Sequence, residues 1–184
     1  MWKNSSQGFG RLAIGIHWLS ALAVFGLFGL GWWMRTLSYY DPWYRLGPWW
    51  HKSIGISLLA LTLLRVLWRW RNTKPRPLGT ALEQKLAGFG HGLLYLLLVL
   101  VMVTGYLIST ADGRGISVFD WFEVPALVTG LHDQAEVAGS IHWYAAWSLV
   151  VLALGHGLVA LKHHFINKDG TLKRMLVTQP SEEN

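Results

Sequence analysis

Two histidines on the last apolar stretch, His142 and His156, stand 14 residues apart. That is close to four helical turns, so both imidazoles leave one helix face about 21 Å apart along the axis. Ionisable side chains inside hydrocarbon are costly and imply a task. A neutral imidazole can bind a metal, pass a proton or hydrogen-bond a neighbour. His17, His51 and His91 lie on the three other apolar stretches. Arg11, Lys85 and Lys162 mark one interface, and His17, His91 and His156 each stand six residues from one of them, about 9 Å of helix. Pro48 suits the first turn of the second helix, which puts His51 just inside the opposite interface. His142, early in the fourth stretch, shares that level.

Bis-histidine ligation of a haem iron asks for one imidazole from each side at a common depth. His51 and His142 satisfy this at the outer level. At the inner level His156 pairs with either His17 or His91, and spacing does not choose. Arg65 follows His51 by 14 residues and so reaches the inner level on the same face, where a haem propionate would supply a charge-assisted partner. The plainer reading is that Arg65 and Arg69 snorkel to the interface. Gly15, Gly55, Gly90, Gly92, Gly139, Gly155 and Gly157 accompany the histidines, which suits either a flat cofactor or close helix packing. No carboxylate lies within the four apolar cores, which speaks against a proton path. Cysteine is absent, which excludes disulfides, thiolate-held iron–sulfur clusters and c-type haem attachment.

The elements that carry these residues follow from composition. Hydrophobic residues make up 52% of the 184 and charged ones 14%, a balance of a membrane protein. The stretches 12–34, 50–68, 87–110 and 137–161 are each long enough to cross the bilayer as a helix. The chain therefore reads as an all-α integral membrane protein, a four-helix transmembrane bundle in a single membrane domain (1–184) ending in a basic tail (162–184). The first stretch is too long for a signal peptide and is read as a retained helix.

Four spans place both termini on one side. Lys3, Arg11, Arg69, Arg71, Lys74, Arg76, Lys85, Lys162, Lys168, Lys173 and Arg174 mark that side as cytoplasmic. Much of the net charge of +6 is thus an orientation signal, and nucleic-acid binding has no further support. The outer side carries four basic residues, Arg35, Arg45, Lys52 and Arg114, against six acidic ones, Asp41, Asp112, Asp120, Glu123, Asp133 and Glu136. Tryptophans gather at both boundaries, Trp32, Trp33, Trp43, Trp49, Trp50 and Trp143 outside and Trp18, Trp68 and Trp70 inside, as interfacial belts do. His132 is expected at the surface.

Several segments together resemble the bacterial cytochrome b561 family of small four-helix di-haem membrane proteins. They are IHW around His17, HKSIGI at His51 with RVLWR after it, GHGLLYLLL at His91, GYLISTADG, the His142/His156 pair and KHHFINKDGTLKRM. The resemblance covers nearly the whole chain. It implies two haem b groups, the cytoplasmic-side iron held by His17 and His156 and the periplasmic-side iron by His51 and His142, with His91 a non-ligand. It further implies a bacterial inner-membrane protein that moves electrons to or from quinone, with superoxide as the first substrate to consider. The acidic outer connection departs from what capture of an anion favours.

The expected activity is outer-sphere electron transfer through six-coordinate, low-spin haems between a periplasmic donor and ubiquinone, with His91, His163 and His164 placed to supply protons at the inner face. Two other readings compete. One is a relay subunit serving a periplasmic redox or binding protein, which the acidic outer connection suits. The other is a histidine-lined metal or proton transporter.

Overall fold

A computed structural model describes residues 1–178; the last six residues of the expected tail lie outside the described part. Four long helices, α1 (Arg11–Met34), α2 (Trp43–Arg71), α3 (Ala81–Thr110) and α4 (Gln134–Lys162), are each long and apolar enough to span a bilayer. The chain is a multi-pass membrane protein built as a four-helix bundle. Hydroxyls on these helices turn back onto their own backbone: Ser20 onto Ile16, Ser57 onto Ser53, Thr104 onto Leu100 and Ser148 onto Tyr144. In hydrocarbon there is no water to satisfy them, so the carbonyl four residues back does.

Helix ends follow local chemistry. Thr80 and Glu83 form a reciprocal cap at the start of α3: Thr80 N–H donates to Glu83 Oε2 at 2.9 Å and Glu83 N–H to Thr80 Oγ1 at 3.3 Å. α2 begins at Trp43, not at Pro48, which stands inside the helix. The Ser38–Asp41 turn carries the chain into helix earlier, with Tyr44 N–H donating to the Asp41 carbonyl.

Backbone contacts divide the chain into two compact units. The terminal unit comprises Met1–Ala21, Leu61–Leu94 and the chain from Val151. Here Arg76 N–H donates to the Ser6 carbonyl at 2.9 Å, Arg174 Nη1 to the Arg76 carbonyl at 2.7 Å and Trp18 Nε1 to the Met175 carbonyl at 2.7 Å. The N-terminal segment, the α2–α3 connection and the C-terminal segment are thereby tied together. α4 continues into one π-helical turn, His163–Asn167, closed by Lys168 in the left-handed region. Buried His163 then donates through Nδ1 to Asp169 at 2.6 Å.

The hairpin unit comprises Leu22–Ala60 and Tyr95–Val150. Its α3–α4 connection holds, alone among the described residues, a pair of strands, the antiparallel β1 (Ile116–Val118) and β2 (Phe122–Val124), with Val118 opposite Phe122. Ile116 and Val118 are almost fully buried. The Tyr106 hydroxyl donates to the Pro125 carbonyl and accepts from Leu127 N–H, and buried Gln134 donates to the Leu107 and Val128 carbonyls. These bonds fasten the connection to the end of α3.

Candidate functional site

The sequence-predicted histidines meet in both units. In the hairpin unit, His51 on α2 and His142 on α4 have ring centroids 6.2 Å apart and planes inclined by 65°. In the terminal unit, His17 on α1 and His156 on α4 stand 6.3 Å apart at 68°. A metal holds an imidazole nitrogen at about 2 Å, with the ring centre about 1 Å behind it, so two imidazoles on opposite sides of one ion have centres about 6 Å apart. Both pairs match that separation. His91 approaches His156 to 5.2 Å, which is ring-on-ring contact.

Each pair has a distinct hydrogen-bonding environment. Val101 carbonyl accepts the Nδ1 proton of His142 at 2.9 Å, with Thr104 Oγ1 at 3.3 Å from the same nitrogen. This fixes the tautomer that leaves Nε2 bare for a metal. His51 Nδ1 is buried without a protein hydrogen-bond partner. In the terminal unit, Arg65 Nη2 donates to His17 Nδ1 at 3.0 Å. A guanidinium has no lone pair to offer, so the His17 proton rests on Nε2 in this arrangement. Ligation through Nε2 requires the opposite tautomer, so a metal on His17 displaces Arg65 from the ring. Trp68 Nε1, three residues on along α2, is buried without a protein partner. Arg65 and Trp68 together offer donors suited to a carboxylate.

Two residues that spacing does not single out sit against the rings. A Cβ on Gly31 would come within 3.1 Å of His51 Cε1, and one on Gly105 within 3.1 Å of His142 Cε1. Both face the histidine of another helix, so adjacency in sequence gives no sign of them. The glycines that flank the histidines behave differently: among the described residues, a Cβ at Gly15, Gly55, Gly90, Gly92, Gly139, Gly155 or Gly157 meets no atom of another element within 4 Å. Close helix packing is therefore not their reason. His132 is exposed beside Asp133. Among the described residues no three His, Asp or Glu side chains converge as a protein-built ion cage would.

The donor set fits a haem: imidazoles paired across one iron's width, glycines that let the rings approach, and on one helix the half-buried Arg65 guanidinium and the buried Trp68 Nε1. Fold and site define a helical membrane protein whose histidines face one another in pairs. The family model for prokaryotic cytochrome b561 matches residues 8–177. The chain is 51% identical over 181 residues to cytochrome b561 homolog 2 of Escherichia coli (strain K12), covering 97% of this chain and 96% of the relative. It is 32% identical over 176 residues to a probable superoxide oxidase CybB of Yersinia pestis, covering 91% and 95%. It is 33% identical over 182 residues to cytochrome b562 of Cereibacter sphaeroides, covering 94% and 98%. The chain belongs to the prokaryotic cytochrome b561 family. Membership brings electron transfer and a b-type haem as cofactor.

Proposed function

We propose that the chain is a di-haem b-type cytochrome that carries electrons across the bacterial inner membrane between a periplasmic donor and membrane quinone. The observation that carries this reading is the pair of matched separations, 6.2 Å for His51 and His142 and 6.3 Å for His17 and His156, each the width of one axially ligated iron. When bound, each haem would supply a one-electron iron couple, with His51 and His142 holding one and His17 and His156 the other. His142 presents Nε2 because Val101 holds its other proton, and Gly31 and Gly105 let the His51 and His142 rings sit close to the neighbouring backbone. Arg65, released from His17, and Trp68 are the donors for a propionate. The ties among the N-terminal segment, the α2–α3 connection and the C-terminal segment support a shared side for these basic stretches, the cytoplasmic one by the positive-inside rule.

Superoxide is the first donor to test, because one relative is named a probable superoxide oxidase. A periplasmic redox protein is the second, favoured by the acidic outer connection. In the reduced-minus-oxidised spectrum of the purified protein, with haem quantified per chain, the expected value is two. Reduction by superoxide alone supports the first donor. Reduction only when a protein donor is added supports the second. Ubiquinone is the expected acceptor, checked by reoxidation of the reduced protein. A colourless protein that carries metal or proton flux in liposomes would instead support a transporter.

A further inference from the structure

The tip of the β1–β2 hairpin is built against local preference. Phe119 and Asp120 both adopt positive φ, 50° and 58°, and Trp121 N–H closes the turn onto the Val118 carbonyl at 3.0 Å. A turn with two left-handed central residues ordinarily uses Asn-Gly, and a bulky side chain there is strained. The surroundings hold it in place. Phe119 N–H donates to Oγ of Ser53, which is fully buried two residues after His51. Asp120 Oδ1 accepts from Ser117 Oγ at 2.8 Å and from Trp49 Nε1 at 3.2 Å. The Phe119 ring lies 5.8 Å from both Trp49 and Trp50.

The consequence is an aromatic series that runs outward from the residue before His51: Trp50, then Phe119, then Trp121 at 5.3 Å. Trp121 is 82% exposed, and Phe122, next to it in sequence, and Leu127, six residues on, are exposed as well. In sequence the connection carries Asp112, Asp120, Glu123, Asp133 and Glu136 against one arginine, Arg114, which is paired with Asp112, and Asp120 and Glu123 stand on the hairpin itself. The same unit also holds the cations Arg35, Arg45 and Lys52, of which Arg35 shares a pocket with Glu136. An exposed aromatic anchor with a charged rim is the anatomy of a protein interface. The sign of the rim selects a basic partner and disfavours an anionic lipid surface.

We infer that the Phe119–Asp120–Trp121 tip is the docking site of a basic, soluble electron-transfer protein, with Trp121 as its anchor and Glu123 in its acidic rim. This rests on the reading that His51 and His142 hold the haem nearer the donor.

The test uses the haem-loaded protein in nanodiscs and a basic cytochrome c as probe. Binding should weaken with rising salt. Trp121→Ala should raise Kd about tenfold or more, and Glu123→Lys should raise it while flattening the salt dependence. Unchanged haem spectra report that both variants are folded. Because the chain has no cysteine, Trp121→Cys takes a single nitroxide label, and paramagnetic relaxation should find it in water. Unaltered Kd in both variants, or a label buried in lipid, would overturn the docking site. A haem content of two in the same preparation leaves the cytochrome reading intact, whereas a colourless protein removes both.

Discussion

The Val101 carbonyl takes the Nδ1 proton of His142 at 2.9 Å, and that contact decides which imidazole nitrogen is available to a metal. A backbone acceptor cannot be lost to a side-chain substitution. Thr104, 3.3 Å from the same nitrogen, is the adjustable part. Thr104→Val should therefore retain haem at this pair and change only its reduction potential, read by spectroelectrochemical titration.

The glycines that touch rings should behave differently from those that do not. Gly105→Ala and Gly31→Ala each put a methyl 3.1 Å from a ring carbon of His142 or His51, tighter than ordinary packing. Haem content should fall below the wild-type value in each. Gly55→Ala, which meets no protein atom within 4 Å, should load as wild type if the space beside it is lipid, and lose haem if a porphyrin lies there. Haem per chain separates the cases.

Arg65 donates to His17 at 3.0 Å, and it must leave that ring when the nitrogen tautomer changes for ligation. A retained positive charge beside a haem favours the reduced, less positive iron. Arg65→Met should lower the potential of the His17/His156 haem by some tens of millivolts, on the order expected for one nearby charge, and leave the other haem unmoved. Trp68→Phe should shift the same haem by a smaller amount.

Asp169 fixes the turn after α4 and gives it an acid limit. Partial burial pushes its carboxyl up, but hydrogen bonds from the Thr171 side chain and backbone and from His163 outweigh this and hold it at about 2, against an ordinary 3.8. A depressed carboxyl stabilises the fold above its unfolded value and loses that contribution as pH falls through the folded one. The C-terminal segment should stay docked from neutral pH to about 4 and loosen between there and about 2. Asp169→Asn should show the loosened state at neutral pH. Limited proteolysis of the tail across this range is the check, and a pH-independent cleavage rate would contradict it.

Thr80→Ala removes one half of the reciprocal cap with Glu83 and should cost about 1 kcal/mol. Glu83→Ala should cost more, because Glu83 also accepts from Lys162 at 3.0 Å. Thermal unfolding of the two variants side by side reads the difference.

The four spans were legible because hydropathy and length act over twenty residues at a time. That His51 meets His142, and that His17 and His91 both meet His156, was legible because helix rise is constant. Spacing leaves the partner of His156 open, since His17 and His91 each stand six residues from a basic interface residue; their rings lie 6.3 Å and 5.2 Å from that of His156. Gly31 and Gly105 escaped notice because their neighbours belong to other helices. Pro48 misled because it resembles a helix start while α2 begins at Trp43. The hairpin escaped because Phe119 and Asp120 occupy a turn that sequence patterns associate with Asn and Gly. Arg65 lies on the His17 imidazole, a contact that no spacing rule anticipates.

The most direct test of the two-haem assignment is haem quantified per chain in four single variants, His17→Ala, His51→Ala, His142→Ala and His156→Ala, beside His91→Ala. The account predicts one haem lost in each of the four and none lost in His91→Ala. Two haems with wild-type spectra in His142→Ala, or loss of a haem in His91→Ala with retention in His17→Ala, would contradict it.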